Sequence, residues 1–178
     1  MHQKEILLAR VEQESRQDVL TGLANRRRLD EALDQELRRA LRFNHPVALV
    51  MGDLDHFKQI NDTHGHALGD EVLYQVAEVL RQGVRATDFV ARYGGEEFVI
   101  LLPETNQEQA ATVCEKLREL IADAPWKDLD SRLAVTMSFG VAAFAGESQT
   151  AAGLLAEADR ALYAAKHGGR DRVHTALA

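Results

Sequence analysis

Apolar and polar positions alternate along this chain with a period that changes from segment to segment. Residues 2–17, HQKEILLARVEQESRQ, are charged throughout and carry no breaker, which predicts a helix. Leu8, Val11 and Ser15 follow three- and four-residue steps, but over less than two heptads. Two readings stay open, a frayed terminal helix or the end of a coiled coil. The turn-rich DVLTGLANRR leads into a helix whose apolar face is Leu29, Leu33, Leu37, Ala40 and Leu41. Pro46 opens a buried strand, VALVMGDLD, that ends abruptly in acids. HFKQINDTHGHALGD reads as a polar loop. A helix is predicted over 70–81, with Val72, Leu73, Val76, Val79 and Leu80 inward and Asp70 at its N-terminus, where free amides favour a carboxylate.

A strand to Tyr93, a tight turn at Gly94-Gly95 and a strand to Leu102 form a hairpin. Asn106 opens a helix carrying Ala110, Val113, Cys114, Leu117, Leu120 and Ile121 inward. RLAVTMSFGVAAF is apolar on both faces and predicts a central strand. A helix over 150–167 follows, and GGRDRV ends it with a glycine stop and a short last strand. The order predicts an α+β fold with a ferredoxin-like βαββαβ core and extra helices. Its central, mostly antiparallel sheet is flanked by helices. Residues 1–17 form a linker and 18–178 the domain. In such a sheet the end of the first strand lies beside the hairpin, bringing Asp53 close to Glu96 and Glu97.

Composition narrows the chemistry. The chain has 178 residues, 46% of them hydrophobic, 28% charged and only 3 proline, enough for one ordered domain with a sizeable core. A net charge of -7 argues against a nucleic-acid partner. Cys114, the single cysteine, excludes an intrachain disulfide and a cysteine zinc site, and reads as core. No apolar run approaches the ~18 residues of a membrane span. Hard divalent cations such as magnesium take oxygen ligands and keep substrate phosphate in their shell, which suits Asp53, Glu96, Glu97 and the Leu54 carbonyl. Two such ions would activate a hydroxyl and stabilise a phosphoryl transition state. Gly94 and Gly95 would keep the tip thin against a nucleotide. Lys58, Lys166 and Arg170 supply charge for phosphate, and Asn61 with Asp70 suits the edge of guanine. Each residue has a plainer reading as solvated charge or turn. No Walker-type phosphate loop is present.

Taken in order, DVLTGLANRR, DLDHFKQINDTHGHALGD, ARYGGEEF, MSFGVA and ADRALYAAKHGGRDRV resemble the GGDEF-domain diguanylate cyclases, with the signature in its GGEEF form. The resemblance covers about residues 18–173 and implies a nucleotidyl-cyclase palm. It implies condensation of two GTP into cyclic di-GMP with release of two pyrophosphates, at a homodimer holding one GTP per domain. It implies that Asp53, the Leu54 carbonyl, Glu96 and Glu97 bind magnesium, or manganese in its place, two ions per site. Glu96 would accept the proton and Lys58 would stabilise transition-state charge. Asn61 and Asp70 would read guanine, with Leu20 near the base. Lys166, Arg170 and the loop amides at Asp55, His56 and Phe57 would hold phosphates. Asp70 would favour GTP over ATP, because adenine lacks guanine's pair of donors.

The resemblance also implies product inhibition by cyclic di-GMP. RATD, Arg85 to Asp88, stands five residues before the signature. Lys116 falls where an added arginine is used, and Arg39 would reach the site from a partner domain. Asp171, where asparagine is common, and Gly52, where a bulky residue is common, depart from the pattern. The chain would be cytoplasmic and follow an upstream sensor domain outside it. A catalytically silent sensing module for GTP or cyclic di-GMP is the alternative, and a passive scaffold dimerised by residues 1–17 is a third.

Overall fold

A computed structural model describes residues 2–176 of the chain, leaving aside the side chains at positions 9 and 12–14. The outer ends of the two predicted segments, 1 and 177–178, lie outside the described residues. Helices α1 (His2–Glu14) and α2 (Arg26–Phe43) precede the central strand β1 (Val47–Leu54). Then come α3 (Phe57–His64), α4 (His66–Gly83), and the hairpin strands β2 (Phe89–Arg92) and β3 (Glu97–Pro103). Helix α5 (Gln107–Ala122), strand β4 (Met137–Ala143), helix α6 (Ala151–His167) and strand β5 (Val173–Thr175) complete the chain.

The sheet order is β2-β3-β1-β4-β5. All neighbouring strands run antiparallel except β4 and β5, which are parallel. This is the predicted α+β, nucleotidyl-cyclase-palm arrangement. Every residue of β1 is buried, so its side chains alternate between two cores. Ala48, Val50 and Leu54 join Val72, Val76, Leu80, Leu117 and Phe139 beneath α4 and α5. Val47, Leu49 and Met51 join Leu29, Leu33, Leu154 and Leu162 beneath α2 and α6. Cys114 is fully buried in the first core, and burial pushes its thiol pKa well above the ordinary value.

Side-chain caps explain where the helices begin. Asn25 accepts from the Arg28 amide, Asn106 and Gln109 form a reciprocal capping box, and Thr150 accepts from the Gly153 amide. Helix α1 leaves Ile6, Leu7, Leu8 and Val11 all more than half exposed.

Several expectations change. Residues 56–70 are not a loop: α3 buries Phe57 and Ile60 one turn apart, and Gly65 separates it from α4 at φ 90°. Helix α4 starts at His66, so Asp70 lies on its second turn rather than at its N-terminus. Leu41 and Leu120 are 44% and 43% exposed, at the edges of their apolar faces rather than inward. Strand β4 begins at Met137, although Leu133 and Val135 before it are still buried. The hairpin connection is longer than two residues and runs from Tyr93 to Glu96. Gly52 faces Met137 and Phe139, and a Cβ there would meet the Met137 methyl at 2.5 Å. Packing against β4 therefore accounts for that departure.

Candidate active site

The acids at the end of β1 sit where the antiparallel register predicts. Asp53 pairs with Glu97 across the sheet, and the Leu54 amide donates to the Glu96 carbonyl at 3.2 Å. Asp53 is only 5% exposed. Burial pushes its carboxyl up to about 6; the hydrogen bond and charge of Lys166 oppose the rise, and Glu96 and Glu97 add to it. Lys166, reaching from the end of α6, places Nζ 2.9 Å from Asp53 Oδ2. Among the described residues no three His, Cys, Asp or Glu side chains close into a ready metal centre. The donor set is nevertheless all oxygen, which suits a hard divalent cation.

Arg92 holds the tip of the hairpin. Its guanidinium donates to the carbonyls of Gly94 at 3.2 Å and Gly95 at 2.8 Å. The same group bonds both oxygens of Asp18 at 3.2 Å. Asp18 in turn accepts from the Thr21 amide and hydroxyl, at 2.9 and 2.7 Å. Burial pushes the Asp18 carboxyl up, but the Thr21 bonds and Arg92 outweigh it and hold it below its ordinary value. The sequence marks DVLTGL and ARYGGEEF as motifs without revealing this link. The pairing of a lone acid in one with a lone arginine in the other was its only signal.

The segment after β1 separates two roles that the sequence merges. The Asp55 amide donates to the Thr136 carbonyl at 3.0 Å, so it is not free for phosphate. The buried Asp55 carboxylate accepts from Thr136 Oγ1 and Ser138 Oγ, both at 2.7 Å, and from the Asp171 amide at 3.0 Å. Asp55 is thus a buttress rather than a substrate ligand. His56 turns the chain in the left-handed region at φ 56°. The first helical bond runs from the Ile60 amide to the His56 carbonyl, which leaves the amides of His56 and Phe57 outside the helical ladder. Lys58 is exposed there. Asn61 on α3 packs against Gly69 on α4, where a Cβ would collide with its Oδ1. That contact sets Asn61 against the residue that precedes Asp70 in α4. Leu20 is half-buried against the core that holds Phe57 and Ile60.

Arg170 lies beyond α6, exposed, at φ 63°. Its guanidinium makes no hydrogen bond or ion pair with the described residues. Lys166, near the end of α6, is engaged by Asp53. A cavity of about 650 Å³ lies between α2 and α6 and is lined by Glu97, Tyr93, Arg26 and Asp159 among others.

The second predicted cluster lies at the far end of the hairpin. Arg85 Nη2 donates to Asp88 Oδ1 at 2.8 Å, and to the Pro103 carbonyl and Thr105 Oγ1 at 2.9 Å each. Asp88 Oδ2 accepts from the Arg85 amide at 2.8 Å. Lys116 Nζ lies 3.5 Å from the Gly83 carbonyl. Arg39 is expected to come from a partner domain, yet it lies 3.9 Å from Glu104 of its own chain. Glu104 adjoins Pro103 and Thr105, the acceptors of Arg85. A cavity of about 480 Å³ beside Arg85 and Asp88 also takes in Arg28 and Arg81, which sequence reasoning missed.

Residues 15–172 match the family described as diguanylate cyclase, GGDEF domain. The chain belongs to this family of nucleotidyltransferases. It is 46% identical to diguanylate cyclase DgcP of Pseudomonas aeruginosa over 89% of its length, and 45% identical to response regulator PleD of Caulobacter vibrioides over 88%. It spans 24% of the first relative and 35% of the second. The crystal structure of the coiled coil and GGDEF domain of DgcB from Caulobacter crescentus, in complex with c-di-GMP, superposes with a TM-score of 0.89 at 34% identity. That likeness covers 98% of this chain and 93% of that one.

Proposed function

We propose that the chain is a diguanylate cyclase that joins two GTP into cyclic di-GMP, releasing two pyrophosphates, at the interface of a homodimer. The observation that carries this reading is the buried Asp53 carboxylate opposite Glu97, with Glu96 joined to the end of the same strand. Asp53, Glu96, Glu97 and the Leu54 carbonyl would hold magnesium, or manganese, with two ions per site. The ions would supply Lewis-acid activation of the 3'-hydroxyl and charge neutralisation at the phosphates.

The chain's own residues then have separate tasks. Each 3'-oxygen attacks the α-phosphorus of the opposing GTP, the bond to the β-phosphate breaks, and pyrophosphate leaves with that electron pair. A carboxylate oxygen of Glu96 receives the hydroxyl proton. Lys58 and Arg170 meet phosphate charge, and the His56 and Phe57 amides sit at the start of α3, where anions are favoured. Lys166, 2.9 Å from Asp53 Oδ2, would turn from that carboxylate to phosphate. Asp70 accepts from the N1-H and N2-H donors of the guanine edge and the Asn61 amide donates to it, with Leu20 near the base.

Arg85 and Asp88, with Lys116 and Arg39, form the proposed product-inhibition site. Their mutual bonds keep the guanidinium pre-oriented before a ligand arrives. Residues 1–17 act as a connector from an upstream sensor domain and 18–178 as the catalytic domain, in the cytoplasm. No helix among the described residues is long and apolar enough to cross a membrane. The second reading, a silent nucleotide sensor, is favoured by one observation, the Lys166 ammonium standing where a cation would bind. Incubation with GTP and Mg²⁺, followed by chromatography, separates the two. Cyclic di-GMP supports the cyclase, and nucleotide bound without product supports the sensor.

A further inference from the structure

Residues 169–171 hold three successive positive φ angles, 120° at Gly169, 63° at Arg170 and 44° at Asp171. Two of the three carry side chains, which disfavour this left-handed backbone. A backbone like this persists only where its surroundings over-determine it. Helix α6 supplies part of the hold, since the Arg170 amide donates to the Ala165 carbonyl at 3.1 Å. Asp55 supplies a second part through the Asp171 amide. The third comes from α5. Arg118 Nη1 donates to Asp171 Oδ1 at 2.9 Å, while its Nε and Nη2 bond Glu115 Oε2 at 3.1 and 3.0 Å. Arg118 is only 21% exposed, so its fork is fixed from both sides.

We infer that Arg118 is a positioning residue which, through Asp171, holds Arg170 in the conformation that meets the substrate's phosphates. The inference rests on the cyclase reading of Arg170. It also explains Asp171, the one departure at this turn. An aspartate beside the buried Asp55 carboxylate and an anionic substrate needs a compensating charge, and Arg118 provides it. The Arg118–Asp171 pair is partly exposed and adds little to stability. Its consequence is the placement of a side chain that has no other anchor.

The test uses the full chain and a non-hydrolysable GTP analogue with Mg²⁺, measured by calorimetry, alongside KM and kcat for GTP. Arg118→Met keeps the packing of the stem and removes the fork. It should weaken analogue binding about tenfold and raise KM more than it lowers kcat. Arg118→Met should add little in an Arg170→Ala background, because both changes remove the same contact. Asp171→Asn, which weakens the bond to Arg118, should lower affinity in the parent but add little in the Arg118→Met background, because both changes act on the same bond. Parent-like binding by a folded Arg118→Met, or full additivity with Arg170→Ala, overturns the inference while leaving the cyclase intact. Parent-like binding by Arg170→Ala removes the phosphate role of Arg170, and the inference with it. Melting curves establish folding, and Arg118→Lys, which keeps charge without the fork, serves if Arg118→Met is unstable.

Discussion

Burial of Asp53 comes at the expense of the cation-free fold. Its carboxyl is raised from 3.8 to about 6 in the folded state, chiefly by burial. A folded-state value above the unfolded one means the native protein holds the proton more tightly. The group's favourable contribution is then fully present below 3.8 and lost as pH rises toward about 6. In the presence of a chelator, Asp53→Asn should therefore melt at a higher temperature than the parent at pH 8. The gain should shrink at pH 5, and turnover with metal should be lost. A lower melting point at pH 8 would show that the Lys166 pair outweighs burial. Gly69 gives a second test. Gly69→Ala should push Asn61 away from Asp70 and raise KM for GTP about tenfold, with a melting shift of no more than a few degrees. An unchanged KM would remove Asn61 from the guanine edge.

Among the elements, the hairpin depends on a side chain outside its own acids. Arg92 joins the Gly94 and Gly95 carbonyls to Asp18, so the tip bearing Glu96 is tied to the turn that follows α1. Arg92→Met should lower kcat by about 10², because a tip displaced by about 1 Å no longer aligns the reacting groups. Hydrogen exchange at the Tyr93 and Gly94 amides should quicken in parallel. A kcat within twofold of the parent would show that the tip is held by its strands alone. The strands were legible because β1 and the hairpin are continuous apolar runs bounded by acids and glycines, and their register follows from the pairing. Residues 56–70 misread as a loop because α3 buries only Phe57 and Ile60 and its polar face dominates the composition. Asp53, Glu96 and Glu97 could be brought together from topology alone. The arginine contacts could not, since a flexible side chain's partner over a separation such as that between residues 18 and 92 leaves no periodic trace.

On the scale of the molecule, the proposed site would hold one nucleotide, and the proposed product needs two. The apolar positions Ile6, Leu7, Leu8 and Val11 of α1 remain exposed on the single chain, as a dimerising connector requires. Turnover should rise faster than linearly with enzyme concentration across the monomer–dimer range. A chain lacking residues 1–17 should need higher concentrations for the same specific rate. Linear dependence in both would place the complete reaction within one chain.

The central claim is that the hairpin carboxylates of two such chains make cyclic di-GMP from GTP. Its most direct test is the stoichiometry of products formed with Mg²⁺ by the parent chain and by Glu96→Gln, each stripped of bound nucleotide. The account predicts one cyclic di-GMP for every two pyrophosphates from the parent, and neither product from a folded Glu96→Gln that still binds GTP. Product formed equally by both, or none from the parent at concentrations where it is dimeric, would contradict it.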